Sequence, residues 1–585
     1  MSLMNKLLTA CVMSLAIGGE FAANAATLPQ LPQKQVDVTM PTVTGSTLNA
    51  TCATFQAQLN AAAALNVNLT HQIILATGTT CTGSFSLPSH TGGTGWILIK
   101  GPNYASLPAS GTRVSLSDAT HMPKIKYGET DPVNGAIAAL TGAQRYRIIG
   151  IEFLQNDSLN PNYAFIVTGY NNWNATNTGY IILDRVVMHD TNTAHDTRRA
   201  VAADAELGNT ALVDSYIEGI TSPQSDTQAW LSISNAGPIL IQNSFLQASG
   251  ENFMACGGEP KNSTVMPKDI TIKRNTFSKN PAWISGGAGL VVKTLLELKC
   301  GNRVLIEGNT FQTMSWDNGG HAHRLTVRNE NHGATFAEVS DLTIRYNLYH
   351  NITNWINEMG SDDGNSGTSG PSMHSKRWYI HDNLVYGLGW ICGGGADCGS
   401  VYSIQQGGVG TACTDPTPTC KNENLTIAHN TIDGTNKQVL YVDTAGQIGL
   451  DFRDNLINSN GSYGIFGIGA ATIYNAVTLL NTAWAGPTWS FTHNSVSGIG
   501  GNGLPSSTWP QGNGNSYPAS STSFLWTNAA SGDYNLQAGS PAKHAASDGT
   551  DQGVNFTAYN AARAGGSGGG GDVTPPATPQ GVTIR

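Results

Sequence analysis

The sequence contains few charged residues. They make up 12% of its 585 residues, whereas typical soluble domains carry about 25%. The formal net charge is -9 and no basic cluster occurs, which argues against nucleic acid as a partner. No long unbroken apolar run follows the N-terminal segment, so no membrane span is expected. Ser, Thr, Asn and Gly must therefore solvate the surface, which suits stacked strands because rows of like charge would repel.

Residues 1–25 have the pattern of a secretory signal peptide. Lys6 supplies the positive start, residues 7–18 form the apolar core, and Ala23-Asn24-Ala25 fits a small-x-small cleavage site. The pattern predicts a protein that is secreted, bound at the cell surface or exported to the periplasm.

Cysteine is also scarce, with nine residues, of which Cys11 lies in the signal segment. An even number in an exported chain favours disulfides. Proximity in the sequence favours three disulfide pairs, Cys52–Cys81, Cys392–Cys398 and Cys413–Cys420. The two cysteines that remain, Cys256 and Cys300, would then lie one rung apart and form the fourth pair. Connectivity is not fixed by sequence. A structural metal is the alternative interpretation, although no Cys-x-x-Cys spacing supports it.

One short phrase returns along most of the chain and reads apolar-x-apolar-x-x-Asn/Asp-x-apolar. It is clearest at residues 270–277, and its polar position recurs at Asp184, Asp214, Asn243, Asn275, Asn309, Asn347, Asn383, Asn430, Asn455 and Asn494. A repeated period-2 pattern with one fixed polar position predicts an all-β fold, a β-solenoid of the parallel β-helix type. The Asn side chains are expected to bond from rung to rung as a ladder at a turn.

The remaining segments are interpreted as the ends of this solenoid. Thr54 to Leu65 has a helical pattern with Thr54 as N-cap, and we expect it to cover the first rung. The predicted division is a signal peptide at 1–25, an extended segment at 26–50, an N-terminal cap and first strands at 51–95, rungs at 96–500, a C-terminal cap at 501–560, and a Gly-rich linker with a Pro/Thr tail at 561–585. Gly581–Arg585 could add as a strand to another molecule, which would be self-association through the tail.

The order of elements resembles the pectate-lyase-like right-handed parallel β-helix proteins. Within them the chain is similar to a group of secreted bacterial β-helix proteins, often of acidobacterial type. The phrases that carry this similarity are DRVVMHD (184–190), RRAV (198–201), DTQAW (226–230), GENFMACGGEP (250–260), PKDITIKRN (267–275), KTLLELKCGNRVLIEGN (293–309) and LTVRNE (325–330). The resemblance implies the right-handed parallel β-helix fold over roughly residues 50–555 and no settled reaction. Two cysteines, Cys256 and Cys300, depart from the group's usual residues, and this departure favours a disulfide between them.

Polar residues on the strands that precede the Asn phrase predict a functional strip. Strict alternation places Leu231, Ile233, Leu296 and Leu298 in the core. The outward residues are then Gln228, Trp230, Asn252, Lys293, Glu297, Lys299, Arg324 and Arg328. A groove of cations, amides and one aromatic ring suits an anionic polysaccharide, because Lys and Arg hold carboxylates and Trp stacks on sugars.

Two chemistries fit this strip. A lyase would use β-elimination on a uronate, with Lys293 or Lys299 as a base of lowered pKa and with Arg324 and Arg328 binding the carboxylate. A hydrolase would need two carboxyl groups. The candidates for those groups are Asp226, Glu251 and Glu297.

Each of these residues also has a structural interpretation. Lys293, Glu297 and Lys299 can form surface salt bridges, and Asp226 and Glu251 can cap turns. The dipeptides His189-Asp190 and His195-Asp196 can be hydrogen-bonded corners rather than general-base pairs, and His321 and His323 lack an evident third metal ligand. Glu358, Asp362 and Asp363 fall in a predicted loop that either binds Ca²⁺ or is merely solvated.

Two functions of different classes therefore remain. The first is a secreted enzyme that binds or cleaves polysaccharide, as a pectate-lyase-like lyase. The second is a non-catalytic extracellular adhesin or filament that uses the solenoid as a spacer. The charged strip favours the first, and the charge-poor surface favours the second.

Overall fold

The computed structural model describes residues 27–128, 135–155, 162–169, 175–190, 192–286, 289–314, 320–330, 333–360, 362, 372–390, 399–404, 422–434, 438–459, 464–467, 474–484, 488–499 and 506–564. The described chain winds through three parallel sheets in a fixed order, which we name sheets A, B and C. The prediction of an all-β parallel β-helix is confirmed. The predicted signal peptide, the C-terminal tail and the four cysteines from Cys392 to Cys420 lie outside the described residues.

Sheet A has fourteen described strands, and each pairs in parallel with the strand one rung away. They are Thr47–Ala50, His71–Leu75, Ile97–Lys100, Gln144–Ile149, Gly179–Asp184, Thr210–Val213, Ile239–Gln242, Lys268–Lys273, Gly301–Glu307, Val339–Arg345, Lys376–His381, Glu423–Ala428, Ile448–Arg453 and Trp489–Thr492.

Sheet B follows sheet A in each rung, and the turn at the Asn position, which recurs from rung to rung, separates the two sheets. Its described strands are Thr80–Gly83, Lys124–Tyr127, Glu152–Leu154, Val187–His189, Tyr216–Ile220, Phe245–Ala248, Thr276–Ser278, Thr310–Met314, Leu348–Ile352, Leu384–Leu388, Thr431–Asp433, Leu456–Asn458 and Ser495–Ser497.

Sheet C closes each rung before the chain returns to sheet A. Its described strands are Phe85–Leu87, Gly135–Ala139, Asn162–Val167, Thr197–Ala202, Gln228–Ser232, Glu251–Ala255, Leu296–Leu298, His321–Thr326, Asn354–Met359, Ser400–Ile404, Gln438–Val442 and Gly464–Gly467. Inward side chains of all three sheets form one continuous hydrophobic core.

The Asn ladder exists and runs along the turn between sheets A and B. From Asn309 to Asn494, each side-chain oxygen accepts bonds from the backbone and side-chain amides of the preceding ladder Asn, as in the 3.0 Å bond from Asn309 Nδ2 to Asn347 Oδ1. Ser215 and Ser244 extend the same ladder. The earlier positions Asp214 and Asn243 lie one residue before it, where the backbone takes the left-handed conformation. The ladder residue itself does not need that conformation, because its predecessor supplies the turn.

The two ends of the solenoid are closed differently. The helix Phe55–Ala63 buries Phe55 and Leu59 against the first rung, and Thr54 occupies its N-cap without a side-chain capping bond. At the other end Trp509 packs against Phe491 and Asn515 receives the last ladder bond. A helix at Ala476–Ala483, absent from the sequence interpretation, also packs its apolar side into the core. The described 3₁₀ helices are Tyr104–Ser106, Leu116–His121, Pro281–Gly286, Ser506–Thr508, Ser521–Phe524 and Ala529–Ser531.

Segments from both ends of the chain cover the outer faces of sheets A and B. Before the first strand, Val36 packs on sheet A with Val213 and Leu240, and the backbone amide of Gln30 reaches Asp341. After the last rung, the hairpin Trp526–Asn528 and Asp533–Leu536 and the helix Phe556–Ala564 run back along sheet B. The region predicted as a cap at 501–560 therefore also forms a cover along the side, and the predicted linker from 561 starts inside a helix.

Two disulfides are confirmed among the described residues. Cys52–Cys81 joins the N-terminal cap region to the first sheet B strand. Cys256–Cys300 joins the chain after one sheet C strand to the chain after the next. The second bridge therefore fixes the two rungs that carry much of the candidate site described below.

Glu358 is a carboxyl group inside the core. Its side chain accepts a 2.5 Å bond from the Tyr402 hydroxyl and a bond from the Asn422 amide. Burial raises the pKa of Glu358 from its ordinary 4.5 to about 7. Glu358 was predicted to lie in a loop that either binds Ca²⁺ or is solvated. The loop placement is wrong for Glu358, because it lies on the strand Asn354–Met359 and alternation turns it into the core.

This carboxyl predicts a stability that falls as the pH rises. The unfolded chain loses the Glu358 proton near its ordinary pKa, whereas the folded chain retains it up to about pH 7. Stability is therefore highest below the unfolded pKa and declines by about 3 kcal/mol through this window. Glu358→Gln should remove that part of the decline, since a rotated Asn422 can accept from the new amide. Denaturant unfolding of both proteins at acidic and mildly alkaline pH checks this, and equal pH slopes would contradict it.

Candidate functional site

The outer face of sheet C carries the polar groups of the candidate site, and we call it the C face. Each sheet C strand begins with a bend at which two successive residues enter the core. Ala229 and Trp230 are such a pair, and Leu295 and Leu296 are another. The residues just before each pair, among them Gln228 and Glu251, therefore point outward and stand in register on adjacent rungs.

This bend corrects three expectations based on strict alternation. Trp230 is in the core with 1% exposure, and its indole nitrogen donates a 3.0 Å bond to Ser232. Leu231 and Ile233 lie outside the main core and pack with Met254 as a separate cluster. Trp230 therefore provides no sugar platform.

Asn252 also points inward, because it occupies the first core position of its strand. Its amide nitrogen donates to the carbonyl oxygens of Leu246 at 2.8 Å and of Ser278 at 2.9 Å. It is fully buried. The prediction that Asn252 contacts substrate is therefore wrong, and its amide instead closes the corner between sheets B and C.

Lys293 links two carboxylates at one edge of the C face. Its ammonium ion-pairs with Asp226 and lies 3.5 Å from Glu251 Oε1. Burial acts against the charge, but the carboxylates of Glu251 and Asp226 outweigh it and hold the pKa of Lys293 above its usual value. The expected lowered pKa is therefore wrong for Lys293, which is a cation at neutral pH.

Glu251 is the most deeply buried group of this cluster. It is fully buried and accepts a 2.5 Å bond from the Gln228 amide. Burial first, and then the negative charge of Glu297, raise the pKa of Glu251. The carboxyl groups of Glu251 and Glu297 thus lie close enough to interact. Burial makes Glu251 the harder of the two to ionise.

Lys279 lies directly behind Glu251 and was not identified from the sequence. It is fully buried, and its ammonium donates to Ala248 O at 2.8 Å, to Gly250 O and to Asn252 Oδ1 at 2.9 Å. Burial lowers the pKa of Lys279 to about 7. All three bonds face the corner, so Lys279 holds the turn from which Glu251 projects and does not reach the C face.

The centre of the C face is a column of Glu297, Arg324 and Asn357 in register on successive rungs. Glu297 accepts a 3.0 Å bond from the Thr326 hydroxyl. Arg324 is half-buried, its Nε is enclosed without an acceptor, and no described residue pairs with its guanidinium. Both amide atoms of Asn357 are likewise buried without partners. Such groups cost free energy in the isolated protein, and an anionic ligand at Arg324 would offset part of it.

Lys299 and Arg328 lie beside this column and are already paired. Lys299 bonds Glu330 at 2.5 Å, and Arg328 lies 3.9 Å from Asp362. The Arg328 amide donates to the Lys299 carbonyl, which places the two cations on neighbouring rungs. The two side chains remain about one-fifth and one-third exposed.

The remaining histidine candidates are structural. His195 Nδ1 lies 3.0 Å from Asp190, and His189 pairs instead with Glu152 at 2.8 Å. His323 is in the core, where it bonds the Tyr349 hydroxyl at 2.7 Å and burial lowers its pKa to about 3. His321 precedes the inward pair Ala322 and His323, so the bend at the start of this sheet C strand turns it to the outer face.

No group of three or more His, Cys, Asp and Glu side chains in the described part of the chain is arranged to hold a metal ion. Asp362 accepts a 2.6 Å bond from the backbone N–H of Asn329, and Asp363 is outside the described residues. Calcium binding, one of the two alternatives for this loop, stays a prediction. No described helix is long and apolar enough to cross a membrane.

Comparison with known proteins gives little. No protein-family model matches the chain, and no curated protein matches it. Among solved structures it is similar to a mannuronic acid specific polysaccharide family 6 lyase enzyme from human gut microbiota, at 12% identity and a TM-score of 0.34, over 78% of this chain and 86% of that chain. Similarity at this level does not transfer that enzyme's activity to this chain.

Proposed function

We propose that the chain is an extracellular polysaccharide lyase that cleaves a uronate-containing glycan by β-elimination on the C face. The signal-like N-terminus supports export, and disulfides are compatible with an oxidising compartment. The identity of the uronate and the bond cleaved are not part of the proposal.

The observation that carries the proposal is Arg324. A half-buried guanidinium on an outer face, without a protein acceptor, suits a planar carboxylate that it can bind with two parallel bonds. Neutralising a uronate carboxylate makes the adjacent C5 proton easier to remove, because charge that develops at the carboxylate is stabilised.

Lys299 is our candidate for the base. Its Cα lies about 8 Å from that of Arg324, from strand and residue spacings, so both side chains can reach one sugar ring. After Lys299 leaves Glu330 and gives its proton to water, its neutral amine takes the C5 proton, a C4–C5 double bond forms, the C4–O bond breaks, and water protonates the leaving oxygen. Glu330 must release Lys299 when substrate binds. Lys293 stays protonated and adds positive charge at the edge of the face.

A glycoside hydrolase is the second candidate, and Glu251 is the reason. A buried carboxyl of raised pKa beside Glu297 is the arrangement of a general acid with a carboxylate partner. Asp226 supplies a third carboxyl group, which is connected to Glu251 by the Lys293 ammonium between them.

One experiment separates these functions. The purified full chain is incubated with alginate, polygalacturonate and neutral polysaccharides, with and without added Ca²⁺, and the products are followed by ultraviolet absorbance and by reducing ends. New absorbance from an unsaturated uronate supports the lyase. Reducing ends without absorbance support the hydrolase. Neither signal on any glycan would overturn both and favour the rod-like structural protein.

A further inference from the structure

The column that contains Arg324 ends in aromatic side chains at the C-terminal part of the C face. Register places Asn357, Ser403, Tyr441 and Phe466 on successive rungs after Arg324. Leu440 and Ile465 occupy the core, so Tyr441 and Phe466, which follow them, point outward. From rung to rung, the outward side chain of this face thus changes from a charged group to an amide, then to a hydroxyl, and finally to aromatic rings.

Three rings form a continuous surface there, which we call the aromatic platform. Phe466 packs on Tyr441 with 5.3 Å between ring centroids and stacks on Tyr474 at 5.8 Å with 8° between planes. Tyr474 is 45% exposed. The outermost ring of this stack therefore presents part of its face to solvent.

We propose that the aromatic platform is a remote subsite that stacks a sugar of the same glycan whose uronate is held at Arg324. The inference rests on the proposed function and adds the direction and reach of the bound chain. Phe466 lies four rungs from Arg324, which is about 19 Å along the helix axis. The glycan therefore runs across the strands, parallel to that axis.

The size of the platform favours a sugar over a protein partner. A stable protein interface takes about 800 Å² from each side, and a fully buried aromatic ring supplies about 150–250 Å². Tyr441 and Phe466 are already half-buried, so the platform offers far less. One or two sugar rings match it, and the register with Arg324 gives the ligand a second point of attachment.

The test compares binding of short and long ligands. Tyr474→Ala and Phe466→Ala are measured by calorimetry against uronate disaccharides and long oligomers from alginate and polygalacturonate. Tyr104→Ala, a partly exposed ring beside Lys100 outside the C face, is the matched control. Because Tyr474 is the exposed member, Tyr474→Ala should leave the midpoint temperature of thermal unfolding unchanged. This variant therefore still tests the inference if Phe466→Ala does not fold.

We expect each platform variant to bind long oligomers about 3- to 10-fold more weakly, with disaccharide binding and the control unchanged. Arg324→Ala should weaken both ligands. Equal affinity of Tyr474→Ala and wild type for long oligomers would overturn the inference, as would equal losses for both lengths or no binding at all. Length-dependent loss without any unsaturated product would retain the platform and remove the lyase.

Discussion

Arg324→Ala should lower kcat/KM on the preferred uronate polymer by about 100- to 1,000-fold, the loss found when one preorganised group that stabilises developing charge is removed. The loss should fall mainly on kcat if Arg324 binds the carboxylate more tightly in the transition state than in the ground state. Initial rates of unsaturated product formation over a range of polymer concentrations give both parameters.

The variant should remain folded, because Arg324 pairs with no described residue and leaves no protein group without a partner. Arg324→Lys keeps the charge but not the fork of donors, and should recover only part of the activity. Arg345→Ala is the matched control: it removes a half-buried cation that lies on a sheet A strand, away from the C face, and is bonded to Glu307. Wild-type activity in Arg324→Ala would remove the residue from the mechanism.

The solenoid could be predicted because its information is local and repeated. The Asn275 to Asn494 positions each place a polar side chain at the same turn, and the apolar period fixes which sheet residues enter the core. Sequence spacing also placed both described disulfides. The path of the terminal segments could not be predicted, since their contacts with sheets A and B join residues hundreds of positions apart, as in the bond from Gln30 to Asp341.

The candidate site was located only in part. Gln228, Glu251, Lys293, Glu297 and Arg324 do lie on one face, but Trp230 and Asn252 do not. Both errors have one cause, the bend that sends two successive residues inward at the start of each sheet C strand. Lys279 was missed because a lysine next to a predicted strand usually reaches solvent. The oxygen atoms that accept hydrogen bonds from the buried Lys279 ammonium come together only in the folded corner between sheets B and C.

The second large effect is expected in the ladder. Asn347→Ala should reduce the free energy of unfolding by about 4 kcal/mol, since it leaves three buried groups without bonds at about 1–3 kcal/mol each. Asn347 Oδ1 accepts from the backbone amide and the side chain of Asn309, and its Nδ2 donates to Ile306 O at 2.9 Å. Asn515→Ala is the control, because it occupies the partly exposed end of the same ladder, where water can replace the lost bonds.

A ladder also makes a prediction that isolated hydrogen bonds do not. Asn309 and Asn347 share two bonds, so the loss of stability in the double variant Asn309→Ala/Asn347→Ala should be smaller than the sum of the single losses. Asn309 and Asn494 share none and should be additive. Denaturant unfolding monitored by circular dichroism measures the wild type, the three single variants and the two double variants. Additive losses at the neighbouring pair would mean that the Asn side chains act as independent turn residues, and that rung-to-rung coupling comes from the strands alone.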